Sequence, residues 1–218
     1  MIDNLLKYPS SCLVGKVVPK TTFQRHLDTS TCMKRHFQDD VVSIIWIYKI
    51  APTTLQVQGT DDMREIQIFL ADLKDPTCPA DLFTFIDKHM PQYIVFLLRY
   101  QQQYRLLINY KDWADAAHTH FNITQSFCSD WLTSAQLSLP ITGTELPTIY
   151  EHFVRHIAGQ QLISDNSNLH NAVLSYQEQE TLKKRLATLQ AQIAKEMQPK
   201  RKFELHQQIV ELQKKLKI

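Results

Sequence analysis

Asp72-Leu73-Lys74 sets a carboxylate and an ammonium two residues apart near the end of a predicted strand, so that both project from one face of it. Metal-dependent nucleases of the restriction-endonuclease type use this arrangement to hold Mg²⁺ and activate a water. Such a centre also needs an acid from a neighbouring strand. Asp62 and Glu65 are the candidates, but both lie very close in sequence. A solvent-facing strand end explains the triplet more simply, and D-x-K arises often by chance. A metal-dependent nuclease using Asp72 and Lys74 therefore stands third among the functions this chain suggests.

Other residues of chemical promise divide in the same way. His152 and His156 are four apart on a predicted helix and share a face, and His118-Thr119-His120 is a second pair. Neither carries the glutamate of a metalloprotease motif, since Phe153 follows His152. They read as helix-surface and loop histidines, and no metal site is expected. Cys12, Cys32, Cys78 and Cys128 are far apart, with no C-x-x-C pair. They read as reduced cytosolic cysteines rather than a disulfide framework. The four glycines, Gly15, Gly59, Gly143 and Gly159, form no phosphate-cradling loop. No catalytic residue and no cofactor is expected.

Charge is informative only once it is divided along the chain. The net +2 hides ten Lys/Arg against five Asp/Glu between Tyr176 and Ile218, and 14 against 17 in the remainder. A mildly acidic body thus carries a basic arm, able to meet phosphate or an acidic protein surface. Two clusters, Lys183-Lys184-Arg185 and Lys200-Arg201-Lys202, concentrate that charge. They are candidate contacts to a nucleic-acid backbone, although a charge run is usually a solvated face. No recognition helix or zinc finger accompanies them to read bases.

The same arm repeats leucine and isoleucine at coiled-coil spacing. Leu182, Leu186, Leu189 and Ile193 alternate steps of four and three, and Leu205, Ile209, Leu212 and Leu216 do so again after Pro199. Each half holds about two heptads, short of a free-standing coiled coil. Gln198-Pro199 can cap and open a second helix, which predicts a tight antiparallel turn. These eight residues are the candidate partner-binding set; packing of the hairpin on its own body is the simpler alternative.

The elements that must position all this are legible in outline. A short extended piece at Cys12–Val18 precedes a helix near Phe23, with Leu27 and Cys32–Phe37 on its buried side. Val41–Ile50, rich in β-branched and aromatic residues, reads as a strand. Thr53–Gln58 and Glu65–Leu70 read as the next two, spaced too closely for helical crossovers and so paired as an antiparallel meander. Ala80–Met90 is a predicted helix, Tyr93–Tyr100 and Tyr104–Tyr110 a hairpin, Phe121–Trp131 a further strand, and Glu145–Ile157 a helix ended by Gly159. The expected fold class is α+β, a mostly antiparallel sheet with flanking helices and a C-terminal antiparallel helical hairpin. The expected organisation is a body over 1–163, a polar linker over 164–175 and the hairpin over 176–218. At 44% hydrophobic and 21% charged the chain can bury a real core. Met1–Pro9 lacks the pattern of a signal peptide, and Val41–Tyr48 is far too short to span a membrane. A soluble, cytoplasmic protein is expected.

Several segments together resemble a bacterial family of unknown function. They are VVPKTTFQRHL at Val17–Leu27, SIIWIYKIAP at Ser43–Pro52, the YIVFLLRY…YRLLINY pair within Gln92–Tyr110, Asp130-Trp131-Leu132, IYEHFVRHI at Ile149–Ile157, and the Lys/Leu/Gln-rich tail. The resemblance implies a small accessory protein, often encoded beside restriction-type helicases and DNA methyltransferases in defence-like gene clusters. It implies no catalytic residues. The tail departs from the family pattern in having fewer charges and more glutamine. The first expectation is thus a non-enzymatic adaptor that docks on a helicase or methyltransferase subunit, or on itself, through the hairpin. The second is sequence-independent nucleic-acid binding by the arm.

Overall fold

Residues 4–26, 31–114, 121–162 and 168–216 are described by the computed structural model. After one 3₁₀ turn at Ser10–Cys12 the elements run β1 (Leu13–Val18), α1 (Lys20–His26), α2 (Thr31–Asp39), β2 (Val41–Ile50), β3 (Ile66–Leu73), α3 (Ala80–Lys88), β4 (Tyr93–Tyr100), β5 (Gln103–Trp113), β6 (Phe121–Cys128) and β7 (Leu132–Thr133). Three longer helices complete the chain, α4 (Leu146–Ala158), α5 (Leu169–Lys195) and α6 (Pro199–Leu216). Contacts divide them into two compact units, Met1–Ile163 and Ser164–Ile218.

The fold is α+β. Its sheet is ordered β1-β2-β3-β4-β5-β6, with β7 added on β5. Every pairing is antiparallel except β3 with β4. Parallel neighbours require a crossover, and α3 provides it. Ile66–Leu73 and Tyr93–Tyr100 are buried at almost every position, as central strands covered on both faces must be. Phe37, Leu82, Phe83 and Ile86 from α2 and α3 meet Ile44, Phe69, Phe96 and Leu107 of the sheet. α4 packs on β5 and β6 and buries Ile149, Tyr150, Phe153 and Ile157. Gly159 ends α4 at a φ of 52°, a left-handed conformation that glycine tolerates without penalty.

One strand of the expected meander is replaced by a turn. Residues 53–58 form no strand; only Gln58 makes an isolated bridge, to Glu145. The side chain of Thr54 explains this. Its hydroxyl accepts from the Ala51 amide at 3.0 Å and donates to the Lys49 carbonyl at 2.9 Å, so local bonds after Pro52 outcompete a sheet ladder. β2 therefore pairs directly with β3.

At the opposite edge from β6, β1 is exposed along nearly its whole length, with Leu13, Val14 and Val17 in solvent. Its register with β2 slips between Leu13 and Lys16, where Gly15 has a φ of 66°.

In the second unit, α5 begins at Leu169, ahead of the expected Tyr176, with the Asn168 side chain accepting from the His170 amide at 2.9 Å. Glu196 closes α5 and its carboxylate takes the Met197 and Gln198 amides at 3.0 and 2.9 Å. Pro199 opens α6 in the position where its missing amide costs nothing. The two helices thus turn back on each other and pack together. No helix among the described residues is long and apolar enough to cross a membrane.

Candidate functional site

Asp72 occupies a cross-strand row. It sits beside Ser43 of β2 and Arg99 of β4, and Arg99 faces Tyr104 of β5. Ser43 donates to one carboxylate oxygen at 2.8 Å and Arg99 Nε to the other at 2.5 Å. The Asp72 bond and charge hold the Arg99 guanidinium above its ordinary range, against partial burial. Lys74 lies just beyond the strand and is exposed, its amide bonded to the Asp40 carbonyl. Glu65 precedes the opposite end of β3 and pairs with Lys49 at 2.6 Å. At about 3.3 Å per residue, an eight-residue strand keeps Glu65 and Asp62 some 20 Å from Asp72. The structure does not bring these acids together.

A second polar group is sealed inside the body. Lys111 of β5 and Asp87 of α3 form an ion pair at 2.5 Å with both side chains at 0% exposure. Lys111 Nζ also donates to the backbone carbonyls of Gln92 at 2.7 Å and Asp87 at 3.3 Å, and lies 3.9 Å from the Phe121 ring centre. Asn109 donates to the other Asp87 oxygen at 2.7 Å and accepts from Ser126 at 2.6 Å and Thr84 at 3.1 Å. Tyr150 donates to the Asn109 carbonyl. Burial pushes the Asp87 carboxyl up, opposed by Lys111, and pushes the Lys111 ammonium down, opposed by Asp87. Every donor and acceptor of the pair is matched, so the network ties α3 to β5 and offers nothing to a substrate.

Among the described residues, histidines and cysteines form no centre. His152 and His156 are both exposed on α4, and His156 Nε2 meets the Ser138 carbonyl at 2.8 Å. His118 and His120 lie outside the described residues. No group of three metal-binding side chains occurs among the described residues. Cys12, Cys78 and Cys128 are free. Burial pushes the Cys78 thiol up to about 12, far from a reactive thiolate. A polar depression of about 480 Å³ is lined by Asp61, Asp62, Arg64, Glu65, Tyr93 and Trp113.

The hairpin uses its apolar stripe to hold itself together. Leu189, Ile209 and Leu212 are buried to 8, 7 and 7% exposure, with Leu182, Leu186, Ile193 and Leu205 half-buried around them. Leu216 is half-buried near the end of α6. All six candidate nucleic-acid residues, Lys183, Lys184, Arg185, Lys200, Arg201 and Lys202, are exposed. Lys183 pairs with Glu180 at 3.0 Å. Lys200, Arg201 and Lys202 join no ion pair among the described residues. They stand in the first turn of α6, which holds no acid to offset them.

The family described as domain of unknown function DUF4391 matches residues 6–216, through both units. The chain belongs to that family. Comparisons with curated proteins and with solved structures find no match. In this DUF4391 chain the Asp87–Lys111 network is the feature that local sequence patterns miss. The available signal was the pair Asn109 and Lys111, alternate residues that share one face of an apolar strand and so demand a buried partner.

Proposed function

We propose that this chain is a non-enzymatic accessory subunit of a bacterial DNA-handling system, of restriction or phage-defence type, that grips a protein partner through its C-terminal hairpin. One observation carries the reading: the seam between α5 and α6 buries three side chains well and leaves four more apolar ones half-exposed. Two helices alone make a thin core, and a third surface laid along the seam would cover Leu182, Leu186, Ile193 and Leu205. The body favours binding over catalysis in the same sense, because Asp72 and Lys111 are each committed to internal partners. A helicase or DNA methyltransferase subunit is the partner to which the family resemblance points, with the cytoplasm as its compartment. The test is co-expression with such subunits encoded nearby, followed by affinity capture of the tagged chain. Co-elution that is lost in Leu186→Asp with Leu205→Asp, at unchanged helical circular dichroism, is the expected result. A parent protein that elutes alone would end the adaptor reading.

The second reading, nucleic-acid binding by the arm, is favoured by the unpaired cations of the first turn of α6.

A further inference from the structure

The end of the hairpin combines two features that rarely coincide on a solvated surface. Met197, in the turn between the helices, is 91% exposed, and Phe203 of α6 is 63% exposed. Around them stand Lys195, Lys200, Arg201 and Lys202, all exposed. Phe203 has no role in the hairpin core. At about 100° per residue it lies roughly opposite Leu205, Ile209 and Leu212, the residues that face α5. Lys200, one turn earlier, and Gln207, one turn later, share its outward face.

We propose that this tip binds an unpaired nucleic-acid strand, with Phe203 stacking on a base and Lys200 and Lys202 meeting the adjoining phosphates. Met197 packs beside the stacked base. The inference rests on the second reading above, nucleic-acid binding by the arm, and is independent of the adaptor reading, which concerns the seam between the helices. Charge complementarity selects the ligand: clustered cations without carboxylate partners call for a polyanion. The exposed ring selects among polyanions. In a duplex the bases already stack on one another, whereas a single strand offers free faces to an aromatic side chain. A lipid surface suits the tip less well, because the outward face of α6 continues through Lys200, Gln207 and Lys214 with only the half-buried Val210 among them.

The test is fluorescence anisotropy of the full-length chain with labelled oligo(dT), with a duplex of the same length, and with vesicles of phosphatidylcholine and phosphatidylserine. Phe203→Ala should weaken oligo(dT) binding about tenfold and leave duplex binding unchanged, while Phe203→Trp retains the affinity. Replacing Lys200 and Lys202 by Glu should reduce the slope of log affinity against log salt by about 1.4. If Phe203→Ala proves less helical, Phe203→Leu, which keeps bulk without the ring, takes its place with the same expected loss. The proposal is overturned if oligo(dT) fails to bind at low salt, if removing the ring changes nothing or weakens both nucleic acids alike, or if only vesicles bind. Co-elution with a protein partner is a separate readout and bears on none of these outcomes.

Discussion

Lys111 has three protons to donate and three oxygens around it, from the Asp87 side chain and the Asp87 and Gln92 carbonyls. A buried pair of this kind adds little net stability when complete, and breaking one side is severe because the other charge is left stranded. Lys111→Met should lower unfolding stability by about 3–5 kcal/mol in urea titrations. Adding Asp87→Leu should recover much of that loss; a double variant no better than the single one would mean the charge balance is not what matters. The pH dependence of the single variant has a definite sign. Burial already raises the Asp87 carboxyl, and without Lys111 only the Asn109 hydrogen bond opposes it. A carboxyl raised by folding contributes its stability below its unfolded value, about 3.9, and loses it as pH climbs through the folded one. The deficit of Lys111→Met relative to the parent should therefore widen as pH rises from about 4. A deficit that shrinks over that range would contradict the assignment.

At the level of elements, the turn between β4 and β5 is made from residues poorly suited to it. Only Gln101 and Gln102 separate Tyr100 from Gln103, and Gln101 adopts a φ of 52°. Two-residue hairpin loops ask for glycine or asparagine there, since a side chain crowds its own carbonyl. Gln101→Gly should stabilise the fold by about 0.5–1 kcal/mol, visible as a melting point higher by roughly 2 °C. An unchanged or lower midpoint would show the position is not strained. This turn was legible as a Gln-rich hairpin, and so were β2, from its β-branched run, and α4, from the spacing of Leu146, Ile149, Tyr150 and Phe153 before Gly159. Such signals are local. What escaped was set by partners far along the chain. The strand read as ending at Tyr110 continues to Trp113, paired with Phe121–Ile123 of β6, and Lys111 within that extension reaches Asp87, 24 residues away. Residues 53–58, read as a strand, misled in the opposite direction, since the Thr54 hydroxyl bound the neighbouring backbone. In the candidate surface, the stripe's helical spacing and the cations were readable, but which apolar residues point outward, Phe203 above all, depended on how α6 lies against α5.

On the scale of the whole molecule, the two units should report separately. All three tryptophans, Trp46, Trp113 and Trp131, belong to the first unit, whereas α5 and α6 belong to the second. Leu189→Asp with Ile209→Asp removes the side chain that α5 buries in the hairpin seam and one of the two that α6 buries there. Far-ultraviolet helicity should fall, while tryptophan emission and its thermal midpoint stay as in the parent. Loss of both signals together would show one cooperative unit instead of two. The free edge of the sheet carries a different consequence. An edge strand that exposes Leu13, Val14 and Val17 is a template on which another copy could add itself, strand by strand, into a fibril. The glycine-centred kink and the lysine beside it interrupt that edge. Resistance of the concentrated protein to aggregation thus depends on a local irregularity in a six-residue strand.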